Sequence, residues 1–292
     1  MAIMCSEARG DGAGLSRRWQ RMVGSRMVGV LAFAIAVMSA TTVQAREVCT
    51  IVADQASGQV LLERGDCRTR VTPASTFKVA LAAMGFDAGL LQSPGRPVHA
   101  PREGDPTWGG APWRRASTPV DWMEHSIVWY SRRITHAMGR DALERYARRF
   151  GFGNADLSGD AGFGNGLDRA WIASSLRVSP AEQVAFLRDL RSGALELSRD
   201  AARNTLSIVP TVRTAGWTLR GKTGSAYPRR ADRSFDRARG YGWYVGWADG
   251  GGRTLVFARL NQDTQRTEGS PGNRARDGFV REWQGIENQL QR

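Results

Sequence analysis

The sequence predicts an α+β fold: an antiparallel sheet assembled from both ends of the chain, flanked by helices, with a helical lobe inserted in the middle. Three patterns carry that expectation. Short alternating segments at 50–53 and 59–63 read as strands. Strand patterning returns at 217–222, 243–248 and 254–260. Between about 99 and 205 the chain reads mostly as helices and loops. Strands at both ends with helices between them favour one sheet built from the two termini. The sheet lobe is expected over about 46–98 and 205–292, and the helical lobe over about 99–204.

The first 45 residues read as an address. Arg17, Arg18, Arg21 and Arg26 precede an apolar run at 27–38, and small residues then lead to Val43-Gln44-Ala45. A basic stretch, an apolar core of about a dozen residues and a small-x-small site make a secretory signal peptide. The run falls short of the ~20 residues that span a bilayer; an uncleaved anchor is the alternative. A start at Met22 would give a leader of more usual length than a start at Met1. The expected destination is the periplasm, an oxidising compartment. Cys5 leaves with the leader, so Cys49 and Cys67 are the thiols that remain. They bracket the 50–63 hairpin, which turns at Ser57-Gly58, and are expected to pair as a disulfide.

Next in order, Thr72 is a good N-cap and Pro73 suits the first position of a helix running through 79–91. Gly89 weakens its end and Pro94-Gly95-Arg96-Pro97 stops it. Glycine-rich stretches follow at 151–154 and 159–166. Ser179-Pro180-Ala181-Glu182 is a capping box leading into 184–190, and 274–290 reads as a closing helix.

Composition removes several function classes. With 41% hydrophobic and 24% charged residues among 292, the chain is globular rather than disordered. No internal period marks a repeat protein. Three cysteines are too few for a disulfide scaffold, and His99, His125 and His136 fit no metal-ligand spacing. The net charge of +13 invites a nucleic-acid reading. Beyond residue 45 it falls to +10, from 36 basic and 26 acidic residues. The arginine pairs at 132–133, 148–149 and 229–230 are scattered among acids, so a solvated surface is the better reading. The glycines at 151, 153, 159 and 162 build no phosphate loop, and Trp108, Trp113 and Trp122 are expected in lobe core or site wall.

Of the 41 basic residues only two are lysines, Lys78 and Lys222. Ser75 and Lys78 are three apart at a helix start and share one face. An alcohol becomes nucleophilic when a base takes its proton, and a lysine amine can be that base if burial depresses its pKa. Ala74, Phe77, Val79 and Leu81 supply apolar surroundings, and the helix N-terminus offers N–H groups to an oxyanion. Lys222 lies in Gly221-Lys222-Thr223-Gly224 at a strand edge, where glycines permit close approach of a ligand or backbone. Each motif is weak alone. Together they place both lysines of the chain in an S-x-x-K … K-T-G signature of serine acyltransferases.

Over essentially all of the chain beyond residue 45, the sequence resembles the class D (oxacillinase-type) serine β-lactamases. Pro73-Ala74-Ser75-Thr76-Phe77-Lys78 is similar to the family's P-x-S-T-F-K, and Ser126-Ile127-Val128 before Trp129-Tyr130-Ser131 to its S-x-V element. Trp171 ahead of Ser174-Ser175-Leu176, the Lys222-Thr223-Gly224 motif, and Gly242-Trp243-Tyr244-Val245-Gly246-Trp247 complete the series.

The resemblance implies a role for each position. Ser75 would attack the β-lactam carbonyl, and Lys78, carboxylated by carbon dioxide, would act as general base. Trp171 would donate its indole N–H to that carbamate, and Val128 would line the apolar pocket around it. Ser126 and Lys222 would pass a proton to the leaving nitrogen. The N–H groups of Ser75 and Ser225 would form the oxyanion hole beside Gly224. Thr223 and Arg276 would bind the substrate carboxylate, with Arg274 as the competitor for that arginine. No metal or organic cofactor is implied beyond carbon dioxide or bicarbonate, and a monomer or homodimer is expected. One departure stands out: the family's usual Y-G-N is Phe152-Gly153-Asn154 here, without the phenol oxygen. Two other readings remain. A transpeptidase or β-lactam sensor would share the fold but acylate without turnover; the first normally carries S-x-N, and the second is expected to need membrane helices and a signalling domain ahead of residue 46. A basic module that binds anionic polymers is the third.

Overall fold

A computed structural model of the protein describes residues 45–290, so the expected signal peptide lies outside the described residues. Six strands form one antiparallel sheet: β1 (Arg46–Asp54), β2 (Val60–Gly65), β3 (Thr211–Thr214), β4 (Trp217–Ala226), β5 (Tyr241–Gly250) and β6 (Arg253–Gln262). Their order across the sheet is β2-β1-β6-β5-β4-β3, so the N-terminal strand pairs with the last one. The sheet is built from both termini, as the strand patterning predicted. The short β3 is an addition: four residues, half of them exposed, carry little hydrophobic signal.

Eight α-helices accompany the sheet among the described residues: α1 (Phe77–Asp87), α2 (Pro119–His125), α3 (Val128–Met138), α4 (Arg140–Arg149), α5 (Gly166–Arg169), α6 (Pro180–Ser192), α7 (Arg199–Ser207) and α8 (Pro271–Leu290). The period-2 alternation of the strands fills two cores. Trp243, Val245 and Trp247 of β5, with Val256, Ala258 and Leu260 of β6, join the larger core, into which α6 packs Val184, Phe186, Leu187 and Leu190. Tyr244 and Ala248, with Leu255 and Phe257, point the other way. There they meet Ala275, Phe279, Trp283 and Ile286, one helical stripe of α8. The capping box at the start of α6 is present: Ser179 Oγ accepts from the Glu182 amide at 3.2 Å, and the Glu182 carboxylate accepts from the Ser179 amide at 2.9 Å.

The start of the first helix differs from expectation. Thr72 does not cap it; its hydroxyl donates to Trp171 O and accepts from the Ala173 amide, both at 2.9 Å. A 3-10 turn over Ala74–Thr76 comes first, and α1 follows. Ala74 holds φ +51°, a left-handed conformation that costs a residue with a Cβ roughly 1–3 kcal/mol. The helix also ends at Asp87 rather than near 91, because Gly89 takes φ +73° just beyond it.

The hairpin cysteines are joined as expected, Cys49 to Cys67, and both are buried. Trp113 and Trp122 are core residues, whereas Trp108 is 74% exposed. Many surface arginines are neutralised locally; Arg133 with Asp105 and Arg149 with Asp87 are two such pairs.

Candidate active site

Three chain segments converge. The 3-10 turn and first turn of α1 carry Ser75 and Lys78, the α2–α3 connection carries Ser126, and β4 carries Lys222. Lys78 Nζ lies 3.4 Å from Ser75 Oγ, and Lys222 Nζ donates to Ser126 Oγ at 2.8 Å and to Thr223 O at 3.1 Å. The site thus holds two serine–lysine pairs, near enough for the charge of Lys222 to act on Lys78.

Both amines are out of water; Lys78 is 0% and Lys222 1% exposed. Burial drives the Lys78 amine well below its ordinary range, and the nearby Lys222 pushes it further. Burial, with Arg276 second, brings Lys222 down to about 7. For Lys78 both effects favour the uncharged amine, the form that can accept a proton or react with carbon dioxide. The serines stay half-buried and reachable from solvent. Ser126 is held at φ +59°, so strained backbone sits beside both serines, next to Ser75 and at Ser126 itself.

The Lys222 shift has a thermodynamic consequence. Between about pH 7 and 10.5 the unfolded chain carries a proton on this lysine that the folded chain lacks, so stability rises with pH across that window. Urea unfolding at several pH values checks this: wild type should gain stability from pH 7.5 to 9.5 relative to Lys222→Met, whose side chain does not titrate.

Gly224 explains how β4 comes so close to the Ser75 turn. A Cβ there would stand 2.9 Å from Pro73 O and 3.0 Å from Thr76 Cγ2. Gln183 on α6 donates to Thr76 Oγ1 at 2.6 Å, fixing that turn from the other side. Gly224→Ala should push strand and turn apart, lowering kcat/KM by about tenfold or more while KM and melting temperature change less. Steady-state kinetics beside a thermal melt separates the two effects.

The remaining expected residues fall around this centre. Trp171 is buried with its ring 5.8 Å from Phe77, and Val128 lies in the same core. Thr223 and Ser225 are half-buried on β4. Ser225 Oγ contacts Ser270 Oγ at 2.7 Å and accepts from the Gly272 amide at 2.9 Å, tying the strand to the start of α8. The two candidate arginines differ in their partners among the described residues: Arg274 is held by both oxygens of the buried Asp263 and by backbone carbonyls, whereas Arg276 is paired with its neighbour Asp277 and lies close enough to Lys222 for its charge to act there. Phe152 is fully buried against Phe77 and Phe186, so the missing phenol oxygen leaves no polar gap. Thr72, Gln183 and Ser270 support the site without having been anticipated, because their partners are distant in sequence. Among the described residues no group of His, Cys, Asp or Glu could hold a metal.

Comparison with known proteins places this geometry. The penicillin binding protein transpeptidase domain family matches residues 48–280. β-Lactamase OXA-9 of Klebsiella pneumoniae is 38% identical over 262 residues, covering 87% of this chain and 94% of that protein. β-Lactamase OXA-1 of Escherichia coli is 32% identical over 221 residues, covering 73% and 75%. The crystal structure of the class D β-lactamase OXA-427 superposes with a TM-score of 0.76 at 37% identity, covering 83% of this chain and 99% of that one.

Proposed function

The chain belongs to the class D serine β-lactamases, and on that premise we propose the residue roles by which it opens the lactam ring. The enzyme hydrolyses the β-lactam amide bond and so confers resistance to β-lactam antibiotics; it needs no metal or organic cofactor. One observation carries the assignment of roles: the only two lysines of the chain are both buried, and each lies against a serine.

Ser75 Oγ attacks the lactam carbonyl carbon as Lys78 removes its proton. The N–H groups of Ser75 and Ser225 face the oxygen on which negative charge develops. When the ring C–N bond breaks, the nitrogen leaves with a proton delivered by Ser126, which recovers one through Lys222. Thr223 and Arg276 hold the substrate carboxylate. Carbon dioxide carboxylates the active-site lysine in this family, which supplies a carboxylate base there. Lys78 fits that group, being buried among apolar side chains, with burial and Lys222 favouring its uncharged form, and with one long contact to a hydroxyl among the described residues. Deacylation by water then frees Ser75 and gives the ring-opened acid.

The leader at 1–45 sends the protein to the periplasm, and residues 46–292 act there as one catalytic domain, monomeric or dimeric, with a sheet lobe and a helical lobe. Export fits the buried Cys49–Cys67 disulfide.

Hydrolysis of a chromogenic cephalosporin with and without added bicarbonate tests the reading. Turnover that rises with bicarbonate supports it. A stable Ser75 adduct with no turnover at saturating bicarbonate would favour a sensor or transpeptidase role instead.

A further inference from the structure

Asp160 lies outside every motif of the site, yet it is the most heavily bonded carboxylate near Trp171. Its Oδ1 accepts from Ser174 Oγ at 2.7 Å. Its Oδ2 accepts from Asn165 Nδ2 at 3.3 Å and from Arg229 Nη2 at 3.2 Å, and forms an ion pair with Arg169, whose Nε lies 3.2 Å away without a hydrogen bond. Arg169 stands two residues before Trp171 and Ser174 three after it, so one carboxylate grips the tryptophan's chain on both sides. Arg169 also donates to Ile172 O at 3.3 Å, within the same turn. From the inside Thr72 bonds Trp171 O and the Ala173 amide, and Ala173 is held at φ +50°. Arg229 comes from the loop between β4 and β5, and Arg169 and Arg229 both lie over the ring of Phe235 from that loop.

We infer that Asp160 is a positioning residue for Trp171, holding the indole where it can serve the carboxylated Lys78 and so setting how strongly carbon dioxide is retained. The inference rests on the carbamate reading given above. The charge balance makes it specific. Two guanidiniums share one carboxylate, and the side chains are only 25%, 25% and 13% exposed, so the cations are poorly screened. Burial, and then the charge of Arg229, weaken the hold of Arg169 on its proton, and Asp160 opposes them. An asparagine would keep the bond to Ser174 but leave two cations facing each other, with an amide donor between them. The turn carrying Trp171 would then open towards solvent. Removing one cation as well should let it close again.

The test is the bicarbonate concentration that gives half-maximal turnover, measured beside a thermal melt. Asp160→Asn should raise that concentration about fivefold or more, the scale expected when a buried charge loses its hydrogen-bonded partner. The double variant Asp160→Asn/Arg229→Gln should return to within about twofold of wild type, because the repulsion is relieved. Ser174→Ala, which leaves all charges in place, should raise it about twofold through loss of a single neutral-to-charged bond. A folded Asp160→Asn with a lowered melting temperature but an unchanged half-activation concentration would overturn the inference. If that variant does not fold, an unchanged value in Ser174→Ala overturns it instead. A ¹³C signal from labelled bicarbonate on the wild-type enzyme keeps the two claims apart. Its absence removes the carbamate reading and this inference with it; its presence beside unchanged variants removes only the role of Asp160.

Discussion

Lys78→Ala is expected to lower β-lactam turnover by at least about a thousandfold, the upper range for loss of a general base, with no recovery on adding bicarbonate. The size follows from the isolation of the site. Lys78 Nζ is the basic group within hydrogen-bonding reach of Ser75 Oγ among the described residues, and the other buried amine is already bonded to Ser126. Arginine cannot substitute, since a guanidinium stays protonated and does not accept the serine proton. Both halves of the reaction should suffer. Slow acylation would still proceed with reactive substrates, because the N–H groups of the Ser75 turn and β4 are untouched. Deacylation would lose the base that activates water. Mass spectrometry should therefore find Ser75 carrying the ring-opened substrate after the variant is mixed with a penicillin, while wild type shows none at the same time. A variant that keeps turnover within about tenfold of wild type would place the base elsewhere.

Removing the Cys49–Cys67 bridge should cost about 3 kcal/mol, since it closes a loop of 18 residues in the unfolded chain. For a domain of this size that corresponds to a melting temperature roughly 6–12 °C lower. The double alanine variant tests this without leaving a buried thiol, and wild type melted with and without reductant provides the parallel measurement. The effect should reach activity as well. Cys67 O accepts from the Ala181 amide at 3.0 Å, and Val71 bridges to Val178 before the chain enters the Ser75 turn. Freeing residue 67 loosens the approach to the nucleophile. A loss below about 1 kcal/mol would mean that neighbouring contacts already restrain this loop in the unfolded state.

What could be read from the sequence, and what could not, divides along range. Elements announced by local chemistry were legible: the hairpin by alternation, α6 by its capping box, the K-T-G strand by its glycines, and the nucleophile by its distance to lysine. Features imposed by distant partners were not. Ala74 takes positive φ in a turn against which β4 packs at Gly224, a neighbour far along the chain that no local pattern announces. The sequence left Arg274 and Arg276 open because only the fold reveals Asp263, 11 residues before Arg274. Asp160 was invisible for the same reason: its partner Arg229 is 69 residues away.

The pairing of β1 with β6 also fixes when the enzyme can come into being. Ser75 and Lys78 are made early, on a chain whose first strand still lacks its neighbour on one side. The amine that serves Ser126 arrives on β4, and the sheet closes only when β6 has followed. A ribosome-bound chain carrying residues 1–250 therefore holds Ser75, Lys78, Ser126 and Lys222 but lacks β6 and α8, against which β5 packs. The centre is complete only after the closing strand and the start of α8, which follows it in the chain.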